Sequence, residues 1–179
     1  METINAIRQR ASCRSYGSAK VNDAVIRDIL ELATQAPSAG NMQEWRFVVV
    51  KSPEVKKRLA EAYVINRKWQ FDAPAIIVVL ADMDIIEDAY GERGVGLYAA
   101  QDTAAAIENL LLAATDSGLA TCWIGAFNEQ AVKNAVAAPE RMRPVAMITL
   151  GYAKDRPAKP ARKPLPEVAF SETYGNPFK

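Results

Sequence analysis

The feature that most constrains the fold is the segment 74–82, which is apolar almost throughout. It reads Pro-Ala-Ile-Ile-Val-Val-Leu-Ala-Asp and shows no alternation of apolar and polar residues. A strand with one face in water alternates, whereas a strand covered on both faces stays apolar along its length. The segment therefore predicts a buried central strand, with other elements packed against both faces of its sheet.

More strands and several helices are predicted around this strand, from apolar periodicity and capping residues. The strands are predicted at 45–51, 121–125 and 145–152, and the helices at 4–11, 21–36, 53–62, 97–117 and 129–137. The long helix at 97–117 is apolar on nearly every side, which is typical of a helix buried in a core or in a subunit interface. Strands interspersed with helices in this way indicate an α/β or α+β domain.

A single domain with a C-terminal arm is the expected organisation. The 179 residues suit one domain, and half of them are apolar, which is enough to fill a core. The composition changes at Ala153, since residues 154–163 include five basic residues, one acidic residue and two prolines. Such a proline-rich segment does not form a helix. We therefore expect one domain over 1–179, of which 153–179 form an extended arm.

The residue types present exclude several classes of function. Lys and Arg number 22 and Asp and Glu number 21, and a formal charge of +1 argues against a chain that coats nucleic acid or an acidic membrane. The sequence has no histidine, which excludes Ser-His-Asp and Cys-His catalytic groups and histidine-ligated metal sites. Cys13 and Cys122 form no C-x-x-C motif, and no signal peptide or membrane segment is visible. We expect a cytoplasmic protein with reduced thiols and no bound metal.

A basic segment near the N-terminus could bind a phosphate group. No acidic residue occurs at positions 3–22, and Arg10, Ser12 and Arg14 would share one face of an extended segment. Two guanidinium groups and a hydroxyl suit a phosphate, which binds bidentate donors and positive charge. A solvated basic surface is the alternative, both here and in the arm. The lack of interleaved aromatic residues argues against nucleic acid as the ligand.

Two loops could bind a flat heterocycle. Residues 36–45 join a helix to a strand and offer free backbone N–H groups together with the amides of Asn41 and Gln43. The segment after the long helix includes Trp123, which could stack on a ring, and Gly125, which lets a ligand approach the backbone. Ordinary connecting loops and a tryptophan that fills the core are the alternatives. No G-x-G-x-x-G turn follows a strand, so no dedicated nicotinamide site is visible.

In their order and spacing, these segments resemble the nitroreductase family of FMN-dependent oxidoreductases. The resemblance covers essentially the whole chain, and its most specific part is Pro-Ser-Ala-Gly-Asn-Met-Gln at 37–43. The other motifs that carry it are Arg10-x-Ser12-x-Arg14-x-Tyr16, Glu44-Trp-Arg-Phe47, the Ala-Pro-Ala-Ile-Ile-Val-Val strand, the helix that contains Asp102, Leu119-Ala-Thr-Cys-Trp-Ile-Gly-Ala126 and Arg162-Lys-Pro-Leu.

The resemblance implies an α+β fold with a central mixed β-sheet flanked by helices, in an entwined homodimer with two FMN sites at its interface. It implies that Arg10, Ser12 and Arg14 hold the FMN phosphate, together with Arg162 or Lys163. The backbone N–H of Ile124 is implied to face flavin N5. The other residues implied to contact the flavin are Pro37, Ser38, Asn41 and Gln43 of the other subunit, and Asn66, Trp123 and Gly125.

The implied function is transfer of a hydride from NAD(P)H through flavin N5 to a nitroaromatic, quinone or similar small acceptor, by a ping-pong mechanism. A flavin store or sensor without turnover is the alternative. The implied partners are a second copy of the chain, NAD(P)H and a small aromatic acceptor, with no nucleic acid and no membrane. Glu44 departs from the family pattern, which has proline before the tryptophan, and it brings a carboxylate close to the loop.

Overall fold

The structure, a computed structural model, describes residues 2–64, 69–155 and 157–178 of the chain. Its helices are α1 (Thr3–Gln9), α2 (Asp23–Ala33), α3 (Pro53–Glu61), α4 (Met83–Arg93), α5 (Ala99–Asp116) and α6 (Glu129–Val136). Its strands are β1 (Trp45–Val50), β2 (Ala75–Asp82), β3 (Ala120–Ile124) and β4 (Met142–Gly151). This combination of helices with one sheet confirms the predicted α+β class.

The strands form one antiparallel sheet in the order β1-β2-β4-β3. The central strand β2 pairs with β1 on one side and with β4 on the other. Every residue of β2 is buried, as its unbroken apolar sequence predicts. The sheet differs from the expected mixed sheet, because the only parallel pairing among the described residues is the isolated bridge between Ser12 and Thr121.

Helices cover both faces of the sheet and bury alternate side chains of β2. Ile77 packs in a cluster with α2 and α5, which includes Leu110 of α5. Its neighbour Ile76 points to the other face and packs in a cluster with α3 and α6, which includes Leu59 of α3. Full burial of a side chain of this size contributes about 1.5–3 kcal/mol. The apolar surface of α5 therefore belongs to this chain's own core.

Three of the helices begin at the side-chain caps that the sequence predicts. Asn22 accepts a hydrogen bond from the N–H of Ala24 (2.8 Å), ahead of α2. Ser52 accepts one from Val55 (3.4 Å), ahead of α3, and Asn128 accepts one from Ala131 ahead of α6. Each cap satisfies a backbone N–H that has no partner within its helix.

Helix α4 is an element that the sequence pattern does not predict. Only Ile86 of this helix is buried, so the segment lacks the apolar stripe by which a helix is identified. A π-helical turn, Gly94–Tyr98, then joins α4 to α5. A Cβ at Gly94 would collide with the C=O of Ile86, and glycine therefore lets this turn pack closely against α4.

The arm follows β4 as an irregular segment, with one 3-10 turn at Leu165–Glu167. Its proline content explains the lack of longer helices. Several of its apolar side chains are more than half exposed, namely Leu165, Val168, Tyr174 and Phe178. In the part of the chain that the structure describes, no helix has both the length and the apolar character needed to cross a membrane.

Candidate functional site

The basic segment lies in an extended conformation beside the sheet. The N–H of Cys13 donates to the C=O of Thr121 in β3 (2.8 Å), and the N–H of Gly17 donates to the C=O of Tyr152 (2.9 Å). These hydrogen bonds tie the segment to β3 and to the residue that follows β4. Cys13 is buried while Arg14 is exposed, as alternation along an extended segment predicts.

The charges of Arg10 and Arg14 and the hydroxyl of Ser12 act on the side chain of Cys122 in β3. Burial is the largest effect on this thiol, and it raises the pKa of Cys122 above its usual range. The positive charges of Arg14 and Arg10, and a hydrogen bond with the Ser12 side chain, act in the opposite direction. The thiol is therefore neutral, and the segment that carries the three predicted phosphate ligands lies beside β3, where Cys13 and Ser12 pair with Thr121.

Glu108 of α5 partly balances the charge of Arg10. Its Oε1 lies 3.9 Å from Nε of Arg10, and its side chain is 51% exposed. An ion pair between such groups contributes less than about 1 kcal/mol, because solvent screens the charges. A stronger anion could therefore replace this contact without a large cost.

Tyr16 anchors the end of the basic segment. Its hydroxyl donates to the C=O of Cys13 (3.1 Å) and lies 2.6 Å from Oγ1 of Thr149 in β4. Burial raises the pKa of Tyr16, so the hydroxyl keeps its proton. The position of Cys13, and with it that of Ser12 and Arg14, is thus set by the sheet.

Trp123 lies near the C-terminal end of β3, at the edge of the sheet. It is 40% exposed, so it does not fill the core and its ring is accessible to a planar ligand. The neighbouring Ile124 is buried and packs in the core cluster with α3 and α6. Side-chain alternation along β3 therefore separates a surface residue from a core residue.

The backbone of β3 alternates in the same way. The C=O of Thr121 faces away from β4, because it accepts a hydrogen bond from Cys13 of the basic segment. The backbone N–H and C=O of Trp123, two residues later, face the same way. Those of Ile124 face β4, where Ile124 is paired with Met147. This register directs the Ile124 N–H toward β4, and which backbone N–H faces flavin N5 stays a prediction. Gly125 is the next residue whose N–H can face the edge.

The residues that follow β3 contact the segment that leads to Asn66. The N–H of Asn128 donates to the C=O of Ala62 (2.9 Å), and the N–H of Val64 donates to the C=O of Ala126 (3.4 Å). These hydrogen bonds hold the chain next to the end of β3 up to residue 64. Asn66, a predicted flavin contact, lies outside the described residues.

The loop at 38–43 is a tight turn in which several residues have left-handed backbone conformations. The value of φ is +53° at Gly40, +59° at Asn41 and +51° at Gln43. Such values cost non-glycine residues about 1–3 kcal/mol each and are frequent at functional sites. The N–H of Gln43 donates to Oγ of Ser38 (3.0 Å), which closes the turn. The predicted contacts that are exposed here are Pro37, Asn41 and Gln43.

The 38–43 loop is anchored to α5 through Asp102. The N–H of Ala39 donates to Oδ2 of Asp102 (2.8 Å). Glu44, directly after the loop, is fully buried, and its side chain lies within hydrogen-bond reach of Asp102. Burial, and to a smaller extent the negative charge of Asp102, raises the pKa of Glu44 to about 7.

The 38–43 loop and the end of β3 share neighbours within one chain. Ala39 packs in a cluster with Ala99 and Val145. The same two residues line a cavity of about 190 Å³ together with Gly125. Two of the predicted flavin-contacting segments therefore lie at the same end of the molecule. The expected contribution of the loop across a subunit interface stays a prediction.

The arm reaches the basic segment, though not through the two residues that the resemblance names. Nζ of Lys159 donates to the C=O of Ile7 at the end of α1 (3.3 Å). Arg162 and Lys163, further along the arm, are exposed. Within the described residues, the structure does not bring these two cations into contact with Arg10, Ser12 or Arg14.

A wide groove lies elsewhere on the described surface. It has a volume of about 950 Å³ and runs between α2, β1 and α3, where Ile26, Val49 and Arg58 line it. None of the predicted site residues lies in this groove. Because β1 is an edge strand, the groove combines apolar surface with unpaired backbone groups, which is a typical feature of surfaces that bind another chain.

The anchoring role of Asp102 and the contact of Glu108 were not predicted from the sequence. Both are among the few charged residues in the apolar segment 97–117, and this is the signal by which they could have been found. Charged residues in a helix that is otherwise apolar usually have a specific partner. Among the described residues, no group of three or more Cys, Asp or Glu side chains is arranged to hold a metal ion.

Comparison with known proteins identifies relatives over almost the whole chain. The Nitroreductase family model matches residues 7–66 and 62–152. A protein of Archaeoglobus fulgidus with the provisional name NADH dehydrogenase/NAD(P)H nitroreductase is 35% identical over 158 residues, which is 86% of this chain and 87% of that protein.

Solved structures give the same result. A nitroreductase family protein from Clostridium novyi is 31% identical, with a TM-score of 0.79 over 99% of this chain and 97% of its own. A protein of Exiguobacterium sibiricum, provisionally named a nitroreductase and solved in complex with FMN, is 26% identical. Its TM-score is 0.84, over 96% of this chain and 98% of its own.

Proposed function

This chain belongs to the nitroreductase family, and we propose that it is an FMN-dependent oxidoreductase that uses NAD(P)H to reduce small acceptors. The FMN bound to the Exiguobacterium sibiricum relative supports the choice of cofactor. The observation on this chain that carries the proposal is that the segment with Arg10, Ser12 and Arg14 is bound to β3 at Thr121, two residues before the exposed Trp123.

The donor set of Arg10, Ser12 and Arg14 fits the phosphate of FMN. A phosphate with nearly two negative charges accepts several charged hydrogen bonds, each of which contributes about 1.5–3 kcal/mol. The neutral Cys122 thiol, on which these three side chains act, adds no negative charge that would repel it. A cation of the arm, Arg162 or Lys163, would complete the site.

The ring of FMN would lie along the edge of β3 beyond its bridge to the basic segment. Trp123 would contact its face, and the N–H of Gly125 rather than that of Ile124 would face N5, since the latter lies within the sheet. The remaining contacts would come from Asn66 at the pyrimidine edge and, from the other subunit, Pro37, Ser38, Asn41 and Gln43.

FMN, when bound, supplies the electron chemistry by taking a hydride from NAD(P)H at N5 and returning two electrons to a nitroaromatic, quinone or similar acceptor. The protein contributes binding and electrostatics. Backbone N–H donors and cations near the ring favour its reduced, anionic form. Because the chain has no histidine, protons would come from water rather than from an imidazole.

We also propose that the protein is a homodimer. Exposed apolar residues of the arm, among them Leu165 and Phe178, support this, because a second copy would remove them from water. The open edge of β1 and the groove beside it offer a surface on which another chain could lie.

A visible spectrum followed by a titration tests the proposed function. Purified protein should show flavin bands, NAD(P)H should bleach them under anaerobic conditions, and a quinone or nitroaromatic should restore them. Flavin bands that NAD(P)H does not bleach would favour a flavin store or sensor. A protein that binds no FMN would contradict the proposal.

A further inference from the structure

A buried pair of carboxyl groups lies beneath the 38–43 loop. Glu44 is fully buried and Asp102 is only 8% exposed. Asp102 accepts a hydrogen bond from the N–H of Ala39 at 2.8 Å. In the described part of the chain, neither side-chain oxygen of Glu44 has a hydrogen-bond donor. Such a group is costly to bury in its ionised form, whereas a proton would give it a donor for Asp102.

The charges around the pair do not neutralise it. The charge of Arg46 in β1 acts on Glu44, but Arg46 also lies 3.7 Å from Asp82 at the end of β2. Arg141 is a second cation that faces Asp82, at 3.4 Å. Asp82 itself contacts Glu44 through the backbone, where its N–H donates to the C=O of Glu44 (2.8 Å). Asp82 therefore takes part of the charge of Arg46, and Arg141 also faces Asp82 rather than Glu44.

We propose that Glu44 and Asp102 share one proton, and that this proton positions the 38–43 loop. The proton resides on Glu44, because neither of its oxygens has another donor, whereas Oδ2 of Asp102 already accepts the N–H of Ala39. The Glu44 O–H donates to the Asp102 carboxylate, which in turn holds the N–H of Ala39. The chain of hydrogen bonds runs from the buried Glu44 to the backbone of the loop.

Loss of this proton to solvent leaves two carboxylates side by side in the core. The raised pKa of Glu44, about 7, brings this event into the physiological range. Repulsion then displaces Asp102 and weakens its bond to Ala39, at the start of a loop that already contains strained φ values. Glu44 is a positioning residue in this scheme, since it acts on the loop through Asp102.

The consequence for cofactor binding rests on the proposed function, in which Asn41 and Gln43 contact FMN. Above neutral pH the loop is less well positioned, and the affinity for FMN falls. Because a single proton is linked to binding, the dissociation constant rises by at most about tenfold per pH unit. The loop titration itself does not depend on FMN and can be measured on the protein without it.

The first experiment follows the pair without cofactor. The carboxyl carbon shift of Glu44 is measured by NMR from pH 4 to pH 9, together with the protection of the Ala39 N–H from hydrogen exchange. The wild type should titrate near pH 7 and lose Ala39 protection over the same range. Glu44→Gln, which keeps a donor for Asp102 but cannot ionise, should hold Ala39 protection constant.

A second variant keeps the test independent of how well Glu44→Gln folds. Asp102→Asn retains an acceptor for Ala39 and removes the like charge, so the Glu44 titration should move to lower pH. A Glu44 carboxyl that titrates near pH 4–5 in the wild type would overturn the proposal. The proposal would also be overturned if the Ala39 N–H lost as much protection with rising pH in Glu44→Gln as it does in the wild type.

The second experiment measures the FMN dissociation constant between pH 6 and pH 8.5. The dissociation constant of the wild type should increase several-fold over this range, whereas that of Glu44→Gln should stay constant. Equal pH dependence in both proteins would refute the link between the carboxyl pair and the cofactor. If neither protein binds FMN at any pH, the proposed function fails, while the NMR titration still decides whether the pair shares a proton.

Discussion

Arg10 and Arg14 are the single residues on which the affinity for FMN should depend most. Arg14→Ala removes a charged hydrogen bond to the phosphate, so FMN binding should weaken roughly 10- to 150-fold. Arg10→Ala should have a similar effect, and the double variant should be non-additive because both side chains contact one group. Fluorescence titration with FMN measures these changes.

Riboflavin, which lacks the phosphate, is the matched control for both variants. Its affinity should be nearly unchanged, and the salt dependence of FMN binding should be less steep in each variant than in the wild type. Equal losses for FMN and riboflavin would show that the arginines stabilise the fold rather than bind the phosphate.

Glu44 should make the stability of the protein depend on pH. Its pKa is raised from 4.5 to about 7 in the folded state, so the folded protein holds more protons than the unfolded chain between these values. Stability is therefore greatest below this window and falls as the pH rises through it, by about 3 kcal/mol. Urea unfolding at pH 5 and pH 8 should show this fall in the wild type and not in Glu44→Gln. If the free energies of unfolding of the wild type and of Glu44→Gln changed equally with pH, the raised pKa of Glu44 would be contradicted.

The 38–43 turn is the element whose backbone conformation most restricts which residues it can contain. Gly40 has φ of +53°, and a Cβ there would collide with the hydroxyl of Tyr90. Gly40→Ala should therefore cost about 1–2 kcal/mol in backbone strain, together with the smaller cost of moving the end of the Tyr90 side chain. Gly118→Ala is the matched control, since Gly118 has φ of +74° but nothing within 4 Å of its Cβ position.

Urea denaturation compares the two glycine variants. Gly40→Ala should lose more free energy of unfolding than Gly118→Ala, and the addition of Tyr90→Phe should restore part of the difference. Equal losses in the two single variants would mean that Tyr90 does not press on the turn.

Most elements were predictable because their signals are local. The unbroken apolar run of β2, the apolar stripe of α2 and the caps Asn22 and Asn128 depend only on residues within a few positions of each other. Helix α4 has no such signal, since Ile86 is its only buried residue. Its place in the fold follows from the connection that it makes between the end of β2 and the turn before α5.

At the scale of the whole molecule, we expect an obligate homodimer. Sedimentation of the flavin-loaded protein at micromolar concentration should give twice the chain mass of 19.6 kDa. Stable interfaces of this kind bury upward of about 2,000 Å². Leu165→Glu together with Val168→Glu should weaken the dimer if the arm takes part in it. A flavin-loaded monomer in the wild type would contradict the prediction.

The kinetic mechanism also belongs to the whole molecule. No separate nucleotide-binding motif is visible in the sequence, so NAD(P)H and the acceptor should use the same flavin face in turn. Double-reciprocal plots at several acceptor concentrations should give parallel lines. Intersecting lines would indicate a ternary complex and a second binding site.

The sequence alone determined the buried strand, the caps, the exclusion of histidine chemistry and the extended basic segment. All of these depend on residue type and short-range periodicity. Only the tertiary structure decided that the N–H of Ile124 faces into the sheet, because a shift of one residue along a strand reverses every backbone group. It also decided that Glu44 lies against Asp102, 58 positions away, since the two meet only when the loop packs on α5. Contacts of this kind depend on how helices, strands and loops pack together, and the order of residue types within a short segment does not specify that packing.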